Sequence, residues 1–122
     1  MNLDFSGETP IYLQITAGME DAIFTGAFPE DAQVPSTTEL SASLKVNPAT
    51  VLKGMNLLVD EGLLYKKRGL GLFVAEGAAD KIKKKRQRQF YEKYVLSLVA
   101  EARKLGLTKE EVMEWMERGF AG

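Results

Sequence analysis

From Pro10 onward apolar residues return at every fourth position, at Ile11, Ile15, Met19 and Ile23, which draws one stripe along a helix running to about Thr25 and ending at Gly26. The stretch Ala27 to Pro35 holds two prolines and no periodicity, so it reads as a loop. Ser36 with Glu39 three residues later is a capping box, and it opens a short helix that turns Leu40 and Leu44 inward. Val46-Asn47-Pro48 stops that helix and starts another: Asn47 is a capping residue, and Pro48 suits the first helical position, where its missing N–H has no partner to lose. Val51, Met55, Leu58 and Val59 form the buried face of this third helix, and Gly62 is placed to end it.

After Gly62 the period changes. Leu63 to Arg68 reads as a strand, Gly69-Leu70-Gly71 as a turn and Leu72-Phe73-Val74 as a second strand, which together make a hairpin with a basic arm and a glycine tip. The small residues Ala75 to Ala79 read as a linker, and Asp80 is expected to open a helix whose first turns are basic and polar apart from Ile82. From Tyr91 the same helix becomes amphipathic, with Tyr91, Tyr94, Val95, Leu98, Val99, Ala102 and Leu105 at spacings of three and four, until Gly106. Thr108 and Glu111 form a second capping box before a last helix carrying Val112, Trp115, Met116 and Phe120. The pattern predicts a mainly α protein with one small β-hairpin. Its winged helix-turn-helix spans residues 1–75, a linker 76–79, and a two-helix tail 80–122.

Charge changes this picture more than composition does. The net charge of the 122 residues is -1, but residues 1–64 carry -7, residues 65–93 carry +7 and the remainder -1, so a near-neutral total hides a basic middle. The absence of Cys and His removes disulfides, thiolate or imidazole metal sites and His-dependent triads. The acidic pairs Glu30-Asp31 and Glu110-Glu111 are adjacent in sequence and point different ways, unlike a catalytic dyad. No enzyme activity and no cofactor are expected. No apolar run approaches the ~20 residues of a membrane span, and the first residues lack a signal-peptide pattern, so a cytoplasmic protein with no membrane contact is expected.

A winged helix-turn-helix places its third helix in the major groove and its hairpin on the flanking backbone or minor groove. The start of that third helix must be small or hydrogen-bonding to approach base edges, and Asn47, Ala49 and Thr50 meet the demand, with Lys53 one turn on. Ser36 and Thr37 offer a helix N-terminus to a phosphate, although for Ser36 and Asn47 plain capping explains the residue equally well. In the hairpin, Lys67 and Arg68 lead into Gly69 and Gly71, which leave the backbone bare enough to lie on a phosphate. Lys81 to Arg88 either extends this surface or is solvated.

These residues carry a resemblance. Pro10 to Ile15, Val34 to Leu40, Val46 to Val51, Glu61 to Tyr65 and Arg68 to Val74, in that order, resemble the N-terminal domain of GntR-family transcription regulators. The Val-Asn-Pro turn and the short tail resemble the YtrA-like branch. The resemblance implies a dimeric repressor of its own operon, often one with ABC-transporter genes, bound to double-stranded operator DNA. It also makes Thr38 the counterpart of the family's DNA-contacting arginine and Leu52 the counterpart of a polar residue, two departures that shift the expected weight of binding toward the wing and the helix ends.

The tail's stripe must be buried somewhere. Tyr91, Tyr94, Val95, Leu98, Val99, Ala102 and Leu105 with Trp115, Met116 and Phe120 are expected to pair with the same helices of a second subunit, the alternative being to fold back on the winged domain. Two helices are expected to be too little to enclose an effector pocket of roughly 300 Å³ in one subunit. A sequence-specific DNA-binding regulator is therefore the leading reading, and a winged helix used only for protein contact is the alternative.

Overall fold

A computed structural model describes all residues, 1–122, and the chain divides into two compact units, Met1–Lys83 and Lys84–Gly122. The first unit opens with helix α1 (Ile11–Phe24), which buries Ile15, Thr16, Met19 and Ile23 and ends where Gly26 takes φ 87°. Helix α2 (Thr37–Leu44) starts from the complete capping box of Ser36 and Glu39, and Lys45 closes it in the left-handed conformation at φ 56°. Helix α3 (Pro48–Asp60) is capped by Asn47 and buries Val51, Gly54, Met55 and Leu58. At its end Gly62 adopts φ 75°, and Leu63 N–H returns to Leu58 O at 2.9 Å, so the chain turns straight into the wing.

Strands β1 (Leu64–Lys67) and β2 (Gly71–Val74) pair antiparallel, with Leu64 opposite Val74 and Lys67 opposite Gly71. The preceding segment, expected to be loop throughout, adds a short edge to this hairpin. Val34 N–H donates to Leu72 O at 3.0 Å, Val74 N–H to Ala32 O at 2.9 Å, and Gln33 forms a bridge with Phe73. The segment is too short and proline-flanked to show a strand period, and its pairing depends on β2, far along the chain.

Helix α4 (Ala78–Phe90) begins two residues before the expected Asp80. Ala78 and Ile82 are fully buried and belong to the same core as Ile15, Met55, Leu58 and Val74. The start of α4 thus completes the apolar core of the first unit, because an otherwise polar turn carries one large apolar side chain and a small residue one turn before it.

In the second unit, the stretch expected as one continuous helix contains a π-helical turn at Tyr91–Val95, with Leu96 N–H bonded to Tyr91 O. Helix α5 (Leu96–Lys104) follows, then helix α6 (Lys109–Ala121), started by the complete capping box of Thr108 and Glu111. The π-turn sits where the sequence passes from basic to amphipathic, and its extra residue per turn resets which side chains share a face. No helix is long and apolar enough to cross a membrane.

Candidate nucleic-acid interface

The first turn of α3 presents the residues that sequence reasoning singled out. Asn47 and Ala49 are exposed and Thr50 is half-buried. Asn47 Oδ1 accepts the Ala49 N–H at 2.8 Å, so this oxygen is engaged as a cap. At α2, Ser36 Oγ accepts the Glu39 N–H at 3.0 Å, while Thr37 is half-buried and Thr38 exposed. Lys53 is exposed on α3, and its ammonium lies 4.1 Å from the ring centroid of Tyr12 on α1. The negative face of the ring restrains the charge beside the recognition helix. Tyr12 was not anticipated in this role, because nothing local couples it to a lysine 41 residues away. Leu52, next to Lys53, is exposed as well.

The wing is built on a cross-strand pair. Tyr65 and Phe73 stand opposite one another with rings stacked at 5.9 Å, and Lys67 Nζ lies 4.4 Å from the Phe73 centroid. Beyond this platform Leu70 N–H returns to Lys67 O at 2.9 Å and closes the turn, which leaves Arg68, Gly69 and Leu70 exposed at the tip. Gly69 takes φ 78°, and the space where a Cβ would stand is empty, so backbone conformation and not packing calls for glycine there.

Two further residues brace the wing from the segment before α2. Gln33 Nε2 donates to Leu70 O at 2.6 Å, and Tyr65 donates its hydroxyl to Asp31 Oδ1 at 2.9 Å. The hydrogen bond that the neutral phenol donates to the Asp31 carboxylate, with some desolvation and the nearby negative charge, holds the Tyr65 pKa above the usual tyrosine value. In the basic stretch, Lys81 Nζ lies 3.0 Å from the position a Cβ on Gly62 would take, at the C-terminal end of α3. A cation near the C-terminal end of a helix complements the helix dipole.

In the second unit neither the π-turn, α5 nor α6 contains a buried residue. Tyr94, Val95, Leu98, Val99, Ala102 and Met116 come together, with Phe90, Leu107, Val112 and Met113, to line an open apolar groove of about 600 Å³. Tyr91, Leu105, Trp115 and Phe120 lie outside that lining and are exposed, Phe120 to 87%. The groove is open along its length, so it is not the enclosed pocket that two helices were expected to be too little to form. Side chains on facing helices line a long open trough without closing over it.

Residues 11–74 match the family described as bacterial regulatory proteins, gntR family. The chain belongs to the GntR family. Among relatives, the GntR-family chain is 33% identical over 116 residues to the HTH-type transcriptional regulator YhcF of Bacillus subtilis, covering 93% of each chain. It is 28% identical over 117 residues to the HTH-type transcriptional repressor YtrA of the same organism, covering 96% of this chain and 89% of that one. A GntR-family regulator from Bacteroides thetaiotaomicron has a solved structure similar to this one, with a TM-score of 0.76 and 32% identity, covering 91% and 96% of the two chains. The DNA-binding domain of AraR in complex with operator ORE1 matches 61% of this chain and 90% of its own at 32% identity and a TM-score of 0.54. This GntR protein is thus a DNA-binding transcriptional regulator and not an enzyme.

Proposed function

We propose that this regulator is a sequence-specific operator-binding repressor that acts as a homodimer in the cytoplasm. In this reading the start of α3, through Asn47, Ala49, Thr50 and Lys53, reads double-stranded operator DNA in the major groove. Lys67 and Arg68 with the bare backbone of Gly69 and Gly71 meet flanking phosphates, and Ser36, Thr37 and Thr38 bring the start of α2 to the backbone. The observation that carries the reading is the wing tip: a lysine seated on an aromatic pair, an exposed arginine and an open glycine turn leave cationic groups and bare main chain at the end of one hairpin.

The tail supplies the second half of the proposal. Two helices with no buried side chain and a continuous apolar groove require a partner, and the same helices of a second copy offer the matching surface. Two joined heads would read a two-fold symmetric site. Resemblance to the YtrA-like branch further supports repression of the regulator's own operon, including ABC-transporter genes. Selection of bound duplexes from a random pool tests the whole reading: an enriched two-fold symmetric site is expected, and enrichment of no sequence would overturn it.

A further inference from the structure

We infer that Gln33 is a positioning residue for DNA binding, which holds the wing tip in the conformation that presents Arg68 to a phosphate. The inference rests on the proposal that the wing meets DNA. Gln33 stands 37 residues before Leu70 and outside every helix, yet its side-chain amide donates to the Leu70 carbonyl at 2.6 Å and its backbone bridges to Phe73. Gly71 is shaped to admit it: a Cβ there would lie 3.0 Å from Gln33 Nε2, and the residue takes φ 119°. Glycine at 71 therefore provides both a backbone conformation and the space occupied by the glutamine amide.

The physical need is clear from the size of the wing. A two-stranded hairpin of four-residue strands is marginally stable by itself, and its tip, with Gly69 in open space, has no packing to hold it. The peptide plane joining Leu70 to Gly71 is rigid, so a bond to its carbonyl orients the whole turn. Without that bond a phosphate contact from Arg68 must first order the tip, and the ordering cost is subtracted from affinity. Gln33 itself need not touch DNA for this to hold.

The test uses the full chain, a mixed-sequence duplex of about three helical turns at low salt, and four variants: Gln33→Ala, Gln33→Met, Arg68→Ala and the double Gln33→Ala/Arg68→Ala. Gln33→Met preserves side-chain length without a donor or a charge. Both Gln33 variants are expected to retain the thermal midpoint of the parent and to weaken binding roughly three- to tenfold, with a salt dependence shallower by about one phosphate. In the Arg68→Ala background the glutamine change should cost less than about twofold, because both changes act on the same interaction. Backbone order parameters of Gly69 and Gly71 in the free protein should fall in both Gln33 variants and stay unchanged in Arg68→Ala. Full additivity of the two changes would overturn the inference by making Gln33 a DNA-binding group of its own, and unchanged tip order parameters would overturn it directly. If Arg68→Ala binds as the parent does, the wing reading fails instead, and the order parameters still report whether Gln33 holds the tip.

Discussion

The hydroxyl of Thr16 on α1 donates to the carbonyl of Gly54 on α3 at 2.7 Å, and a Cβ on Gly54 would lie 2.6 Å from the carbonyl oxygen of Tyr12. Two helix backbones thus meet at a glycine, with a buried threonine satisfying the carbonyl that this approach removes from water. The same approach brings Tyr12 beside Lys53, so a packing feature of the core sets the position of a candidate DNA-contacting side chain.

Gly54→Ala is expected to destabilise the protein by about 1–3 kcal/mol, because the new methyl meets main chain that must shift, and this outweighs the ~1 kcal/mol that alanine gains in helix propensity. Thr16→Val should cost about 1 kcal/mol through removal of the hydrogen bond. Urea unfolding monitored by circular dichroism measures both, and a Gly54→Ala protein as stable as the parent would show that the helices separate freely.

Lys67→Ala and Arg68→Ala are each expected to weaken binding evenly across DNA sequences and to flatten the logarithmic salt dependence by about one unit, since a phosphate contact carries little base information. Titrations at several salt concentrations on unrelated duplexes provide the readout. A loss confined to one sequence would move these residues from the phosphate backbone to the bases.

Thr50→Ala and Lys53→Ala should instead change the ranking among operator variants, at roughly 1–3 kcal/mol for each side chain that reads a base edge. The duplexes enriched by selection, changed one base pair at a time, provide the comparison. Equal effects on every variant would assign both residues to the phosphate backbone.

For the second unit, Leu98→Glu is expected to convert a dimer to a monomer in sedimentation. Affinity for a symmetric site should then fall by about 10²-fold, because the second head loses its effective concentration. Ile82→Ala should act differently, lowering stability by about 2–4 kcal/mol through a cavity in the first unit. A chain cut after Ala79 therefore loses core as well as tail, and substitution of Leu98 in the full chain separates the two effects. A Leu98→Glu protein that still sediments as a dimer would refute the assignment of the groove.

Asp31→Asn is expected to bring the Tyr65 phenol back toward the usual tyrosine range. Its folded-state pKa is raised, so the Tyr65–Asp31 bond contributes stability that is fully present below the unfolded tyrosine pKa and is lost as pH rises through the folded one. Ultraviolet titration of the four tyrosines should show one late phase in the parent and its loss in the variant. An identical titration in both proteins would mean the bond is not formed in solution.

Much of this protein is legible in local sequence, because helix starts and stops are written in residues close together. Ser36 with Glu39, Asn47 with Pro48, Thr108 with Glu111 and Gly62 act within one turn of themselves, and each is found where its pattern places it. The hairpin and its glycine tip are equally local, and with the helices they carry the family's order of motifs. What only the tertiary structure decided is where distant residues meet. The bonds of Gln33 to Leu70 and Asp31 to Tyr65, the seat of Lys53 on Tyr12, and Ile82 in the core of the first unit all join positions well apart in the chain. Periodicity reports which face of an element is apolar and not what covers it, so such pairings emerge only when the elements pack.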